Sequence, residues 1–388
     1  MAGQTPKMAP SLPEIHVLGA GPTGALTALA LGLRGQRVVL FDPLTASELQ
    51  ARSRAYAITH SSRRLLTNLG LWNDLRDALV PFRDLDLRDG ATNARVLFGE
   101  DDLASANRHH DGIGWILDHR PLMKLLLARL EANGNVAMHL SEPSPDPSAD
   151  ALIVAADGPR SPTREAWGIR HWGIRYRQGC LTAKVALRGL PHDRACELFR
   201  PEGPLAVLPL GQGTFQVVWS APWQRCEQRS TLQRSAFLDQ LAAVLPKGIE
   251  PDFLLDQPRA FPQQWLLARR LHRGRGVLIG EAGHRCHPVG GQGLNLCWRD
   301  VEGLLRAVER GGSATTIARR YGMSRWLDVL QVGVATDLLV RVFSNRQPLL
   351  LPLRRLALLL LKQFSGLRQL SLRAMSDGPM QLWRALPN

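Results

Sequence analysis

A glycine-spaced turn near the N-terminus, Gly19-Ala20-Gly21-Pro22-Thr23-Gly24, constrains this chain more than any other stretch. It follows a short apolar run, Glu14 to Leu18, and leads into an Ala/Leu-rich segment ending near Gly35. A second apolar run, Arg37 to Phe41, then stops at Asp42. A strand, glycine turn, helix and strand of these lengths form the parallel crossover unit of an α/β fold. The three glycines serve different ends, since Gly19 permits the tight turn, Gly21 lets the backbone approach a pyrophosphate, and Gly24 lets the helix pack closely on the strand. A phosphate would rest on the helix N-terminus, where unpaired N–H groups and the helix dipole favour negative charge. Asp42 falls where the fingerprint expects an acceptor for adenosine ribose hydroxyls. Taken alone, the turn does not distinguish NAD from FAD.

The distinguishing residues lie far downstream, in Gly280-Glu281-Ala282-Gly283-His284 and His287-Pro288-Val289-Gly290-Gly291-Gln292-Gly293-Leu294-Asn295. A strand ending in an acidic residue offers an acceptor for ribityl hydroxyls. The glycine loop opens a helix whose N-terminus can face the edge of a flat polar ring. Reduced flavin is anionic at N1 and the C2 carbonyl, so a helix N-terminus there stabilises it. A third element, Ala156-Asp157-Gly158-Pro159-Arg160-Ser161-Pro162-Thr163-Arg164, ends an apolar run. There Asp157 can accept hydrogen bonds from its own loop or from a cofactor, and Ser161 and Arg164 can cap and pair locally.

Composition narrows the partners. A 388-residue chain with 45% hydrophobic and 21% charged residues has the balance of a globular enzyme. The formal net charge of +14 is spread along the chain as arginine pairs such as Arg63-Arg64 and Arg354-Arg355. With no basic stripe interleaved with aromatics, nucleic-acid binding is not expected, whereas mild attraction to anionic lipid head groups is. Cys180, Cys196, Cys226, Cys286 and Cys297 form no CxxC pair and no ligand spacing, so neither zinc nor a disulfide framework is indicated. A reducing, cytoplasmic setting fits. His284 and His287 lack a third ligand nearby, so no metal is expected. No signal-peptide pattern opens the sequence, and the apolar run Leu349 to Leu361 is broken by Pro352, Arg354 and Arg355. That run reads either as an amphipathic helix facing a membrane or as one packed on the domain.

Periodicity predicts helices over Ser61 to Leu71, Arg120 to Leu130 and Leu232 to Leu245, and a mostly helical chain from Gly293 onward. Strands are expected at Val136 to Leu140, Ala151 to Ala155, Leu181 to Leu187 and Val277 to Gly280. Leu205 to Leu210 and Thr214 to Ser220 read as a hairpin. Three prolines make Ser141 to Ser148 a linker loop. Phe215, Val217 and Trp219 read equally as walls of an apolar channel or as plain core.

In this order and at these separations, the three motifs resemble the class A flavoprotein monooxygenases built on the p-hydroxybenzoate hydroxylase fold. Within that class the likeness is to the ubiquinone-biosynthesis hydroxylases. It is carried by Arg54-Ala55-Tyr56-Ala57-Ile58, Leu69-Gly70-Leu71-Trp72, His287 to Asn295, Thr336-Asp337 and Phe343-Ser344-Asn345. The resemblance implies an α/β fold with a Rossmann-like FAD-binding domain, an inserted mixed β-sheet substrate domain and a helical C-terminus. It divides the chain into FAD-binding parts (1–80, 115–175, 269–335), substrate-sheet parts (81–114, 176–268) and C-terminal helices (336–388). By the same resemblance Gly19, Gly21, Gly24 and Asp42 hold the adenosine diphosphate end of FAD. Arg54, Arg120 and Asp157 lie near the cofactor, and Glu281, Pro288, Gly291, Gly293, Leu294 and Asn295 run along its ribityl and isoalloxazine side. No individual catalytic residue is implied. Three departures stand out: Glu281 replaces the usual Asp, Gly283 and Cys297 replace Ala and Gly, and the segment around Ser141 to Ser148 is short.

The activity implied is hydroxylation of the ring of a polyprenylated phenol through a flavin C4a-hydroperoxide, with NAD(P)H or a redox protein as transient electron donor. A complex of ubiquinone biosynthesis and peripheral contact with the inner face of the membrane are the partners implied. Two other readings share the fold: a non-catalytic FAD-binding accessory protein of the same pathway, and a flavin-dependent reductase or halogenase.

Overall fold

Six short strands form one sheet in the order His272–Arg273, Gly276–Leu278, Leu152–Ala155, Ile15–Leu18, Val38–Asp42 and Val136–Leu140. All neighbours run parallel except the hairpin at the His272 edge. Parallel strands need a crossover, and Pro22–Gly32 supplies the first one, carrying buried Leu26, Leu29 and Leu31 against the sheet. Helix His119–Glu131 packs beside it and leads to Val136. The computed structural model describes residues 13–108, 111–142, 146–345 and 347–379.

A second, nine-stranded sheet is built around His171–Arg188, a strand of 18 residues. Its first half pairs with Arg259–Ala268 and its second with Thr214–Pro222, the pairing with Arg259–Ala268 shifting register between Arg175 and Gly179. The sheet continues through Leu205–Gly211, Arg194–Phe199, Asp84–Asp89 and Ala94–Phe98. A three-stranded sheet, Ala55–Ile58, Gly114–Asp118 and Leu79–Phe82, lies between these two parts of the chain.

Alternation gives the large sheet two different faces. Leu181, Val185, Val207, Phe215, Val217 and Trp219 are fully buried in a core closed by Trp223–Ser230 and Arg234–Ala242. Phe215, Val217 and Trp219 are therefore core, and Val218, one residue out of phase, takes the opposite face. The helix expected at Leu232 to Leu245 is Arg234–Ala242, and a further short helix, Trp223–Ser230, precedes it and ends at Thr231.

Other boundaries differ by a few residues. The helices expected from Ser61 and Arg120 are His60–Asn68 and His119–Glu131. The strand expected to reach Gly280 stops at Leu278, and Gly280–Ala282 is a turn of 3₁₀-helix entered through Gly280 at φ 62°. Of the proline loop, Pro143, Ser144 and Pro145 lie outside the described residues. From Gln292 the chain runs through four helices, Gln292–Glu309, Ala314–Phe343, Leu350–Gln363 and Ser365–Asp377.

Candidate functional site

The first glycine turn has the geometry its spacing implies. Gly19 holds φ at 102°, and a Cβ there would come within 2.5 Å of the Ala156 carbonyl oxygen. A Cβ on Gly24 would overlap the Gly19 carbonyl oxygen. Gly21 differs: it caps the helix Pro22–Gly32 in an ordinary extended conformation, and a Cβ there would meet nothing within 4 Å. A helix N-terminus with open space at its capping glycine is the cradle a pyrophosphate requires. Asp42 is buried, with Oδ2 accepting from Ala20 N–H at 2.7 Å and Oδ1 from Leu44 N–H at 2.9 Å. The carboxylate thus locks the turn, and one lone pair on each oxygen remains for a ribose hydroxyl.

Beside Gly19 stands Asp157. Its Oδ2 accepts from Thr163 N–H at 3.0 Å, while Oδ1 is buried and finds no partner among the described residues. Such an orphaned acceptor is costly unless a ligand donor meets it. Ser161 caps the next helix through Arg164 N–H at 2.9 Å, as the sequence suggests. The Arg164 guanidinium reaches across to donate to the Ala282 carbonyl at 2.9 Å, tying this loop to the second glycine motif.

The two glycine motifs touch. A Cβ on Gly280 would lie 3.0 Å from Thr23 Cγ2, and Trp298 Nε1 donates to the Pro22 carbonyl at 3.4 Å. Beneath the second motif is a buried ionic cluster. Asp300 Oδ2 accepts from Gly280 N–H at 2.9 Å and from His284 Nε2 at 2.6 Å, and Oδ1 accepts from Arg325 Nε at 2.8 Å. Burial alone would raise the Asp300 carboxyl, but the charges of His284 and Arg325, with these hydrogen bonds, hold it at about 2. His284 is therefore bound to a carboxylate, and burial pushes His287 down to about 3.

Glu281, Pro288, Gly291, Gly293 and Leu294 line one wall of a cleft of about 320 Å³, whose other walls are the free face of the large sheet and the C-terminal helices. Gly290 and Gly291 both hold left-handed φ, 70° and 64°, so the chain turns sharply before entering Gln292–Glu309. Arg54 lines the cleft too, with its guanidinium 5.4 Å from the Tyr56 ring centre.

Gly19, Gly21, Gly24, Asp42 and Asp157 lie at the first turn and not on the lining of this cleft, and two further residues stand off it as well. Arg120 is exposed on the first turn of its helix and does not border the cleft. Asn295 is fully buried, and its side chain is occupied by protein: Oδ1 accepts from Thr59 N–H and Ser62 Oγ, while Nδ2 donates to the Ala57 and Gly291 carbonyls. Its side chain clamps the glycine loop to the strand Ala55–Ile58, and the residue does not border the cleft.

Three placements are not announced by the sequence. Glu197, 8% exposed, lines the cleft from the sheet. Tyr176 donates to Asp337 Oδ1 at 2.5 Å, pinning the sheet to the long helix Ala314–Phe343. Tyr56 OH and His119 Nδ1 are 2.9 Å apart, with His119 Nε2 2.7 Å from the Leu49 carbonyl. That carbonyl can only accept, so Nε2 carries the proton, Nδ1 accepts, and Tyr56 is the donor. Tyr56 and Asp337 stand in stretches that carry the family likeness, but the pairings have no local signal, because each joins strands or helices brought together from distant sequence.

Comparison with known proteins bears on this arrangement. Residues 13–101 and 135–326 match the family described as FAD binding domain. The chain is 27% identical over 387 residues to the 3-demethoxyubiquinol 3-hydroxylase of Escherichia coli, covering 93% of this chain and 97% of the relative. It is 28% identical over 419 residues to the ubiquinone hydroxylase UbiL of Rhodospirillum rubrum, covering 96% and 93%. The crystal structure of p-nitrophenol 4-monooxygenase PnpA from Pseudomonas putida superposes with a TM-score of 0.73 at 20% identity, covering 96% of this chain and 98% of that one. With two glycine turns in contact, a mixed sheet facing the second of them and a helical C-terminus, this chain belongs to the FAD-binding aromatic-ring monooxygenases of the p-hydroxybenzoate hydroxylase fold.

Proposed function

We propose that the chain hydroxylates the aromatic ring of a polyprenylated phenol in ubiquinone biosynthesis. The observation that carries this reading is the cleft. It opens at the glycine loop and is walled by Phe82, Leu85, Leu87, Leu208, Phe261 and Leu339, an apolar channel able to take a prenyl chain behind a ring. The hydroxylases of E. coli and R. rubrum named above support the same substrate class.

FAD, reduced by a nicotinamide or a redox protein, supplies the activation of molecular oxygen and its transfer to an electron-rich ring. The chain's own residues bind and position. Gly21 and the N-terminus of Pro22–Gly32 would hold the pyrophosphate, with Asp42 and Asp157 as acceptors beside it. Gly293 and Leu294, in the first turn of Gln292–Glu309, would present backbone N–H groups to the electron-rich edge of the isoalloxazine. Leucine and phenylalanine walls exclude water from the reacting centre.

Among the described residues no helix is long and apolar enough to cross a membrane. The last two helices nevertheless expose Leu349, Leu353, Leu356, Phe364, Leu367 and Leu370, and Ala374, Met375 and Pro379 of the same region border the cleft. This supports peripheral contact with a lipid surface from which an insoluble substrate would enter. Lipid analysis of a strain lacking the protein tests the reading: a polyprenylated phenol lacking one hydroxyl should accumulate, and an unchanged quinone pool would refute it.

A further inference from the structure

On the free face of the large sheet, the cross-strand row that borders the cleft runs Leu87, Glu197, Ala206, Val218 and Thr182. Leu85, Ala195, Phe199 and Leu208 flank it on the same face. Glu197 is thus a carboxyl set among aliphatic side chains, 8% exposed, with no salt-bridge cation among the described residues. Among the described residues, the backbone N–H of Gly290, in the glycine loop, is the one protein group beside it that favours its charged form. Burying a carboxyl in such a place costs several kcal/mol unless it is neutralised or a ligand completes its hydrogen bonds. A purely structural acceptor for Gly290 needs no ionisable group, since Gln would serve.

We propose that Glu197 receives the phenolic hydroxyl of the substrate and takes its proton as the ring is hydroxylated; this rests on the substrate reading above. The position suits that role, because the carboxyl lies on the cleft wall facing the loop at which Gly291 and Gly293 would meet the flavin. As an OH unit bonds to a ring carbon through a ring electron pair, the oxygen–oxygen bond that carried it would break with its pair left on the cofactor side, while the phenolic O–H bond breaks and its proton passes to a Glu197 carboxylate oxygen. The electron pair left behind makes the phenol oxygen a carbonyl. Loss of the proton from the newly oxygenated carbon to water restores the aromatic ring, and Glu197 returns its proton to the carbonyl oxygen. Burial raises the Glu197 carboxyl, with the Gly290 N–H partly offsetting it, to about 7, where it can exchange a proton near neutrality. The other charged or titratable side chains around the cleft are Arg54, Tyr56, Glu281, His284, Arg285 and buried thiols, of which Cys180 is close enough to feel the Glu197 charge.

The test uses FAD-loaded protein with 2-allylphenol and its methyl ether as probes, binding being read from perturbation of the flavin absorbance. Wild type should bind the phenol about tenfold more tightly than the ether at pH 8, the size expected of one hydrogen bond to a charged acceptor. Glu197→Gln, isosteric and still able to accept from Gly290, should bind both probes within about twofold and retain its flavin. Its oxygen-dependent turnover of the phenol should fall about 100-fold. Glu197→Asp, which keeps the charge on a shorter arm, should recover part of the preference. A Glu197→Gln protein with the wild-type preference and turnover would overturn the assignment and leave Glu197 as a loop anchor only. Wild type that binds neither probe and consumes no oxygen with any phenol would instead overturn the substrate reading, and this assignment with it.

Discussion

Gly21 and Gly24 are three residues apart and answer to different forces. At Gly24 a methyl group would overlap the Gly19 carbonyl, so Gly24→Ala must push the first helix off the sheet. At Gly21 the added methyl would meet open space at unstrained backbone angles. Gly24→Ala is expected to lose about 2–3 kcal/mol of stability and FAD together. Gly21→Ala should unfold at the wild-type temperature or slightly above it without ligand, yet bind FAD at least tenfold more weakly. Thermal unfolding with and without FAD, beside flavin titration, distinguishes the two. This pair is legible in the sequence because the fingerprint is local: spacing alone fixes which glycine faces helix, strand or ligand. Glu197 is not legible, since nothing in Arg194-Ala195-Cys196-Glu197-Leu198-Phe199 says which face of which sheet it enters. Asn295 is the converse case. Its motif is recognisable, but the side chain serves the loop, a distinction that rests on Thr59 and Ser62, over 230 residues away in sequence.

Between elements, the second glycine motif is held by charge as well as by backbone. Asp300, on Gln292–Glu309, joins Gly280, His284 and Arg325 and so fastens two helices to the turn that carries Glu281. Its folded-state pKa is about 2, below the ordinary carboxylate value, so the stability it contributes is present in full above about pH 4 and is lost as pH falls towards 2. That contribution is about 2 kcal/mol, and acid unfolding of wild type should show it as a steep limb across this window. Asp300→Asn leaves Arg325 partly uncompensated, so about 3 kcal/mol or more should be lost at pH 7, with a flatter acid limb. Denaturant titrations at several pH values read both effects. The sequence announces the turn and the helix but not the ion cluster beneath them, because buried arginines are rare and carry no periodic signal.

At the scale of the molecule, the C-terminal helices leave a leucine-rich surface uncovered, with Leu349 89% and Leu353 55% exposed. A triple substitution of Leu353, Leu356 and Leu367 by Gln should leave flavin content within error and unfolding temperature within a few degrees, because about half of each residue's surface is already in water. Co-flotation with vesicles of anionic lipid should fall at least fivefold. Equal flotation of variant and wild type would remove this surface from any role at the membrane. Here the sequence leaves two readings open: Leu358 and Arg354 pack inward, as a helix lying on the domain requires, while their neighbours face out, and the flotation assay tests the membrane reading.

The order of the six-stranded sheet also bears on how the protein is made. Leu152–Ala155 is flanked by Ile15–Leu18 on one side and by Gly276–Leu278 on the other. While a ribosome is still translating the intervening hundred or so codons, one edge of that strand has no neighbour, and its amide groups and apolar side chains stay open to other nascent chains. A product truncated before residue 276 is therefore expected to aggregate where the full chain stays dispersed, which sedimentation of the two checks.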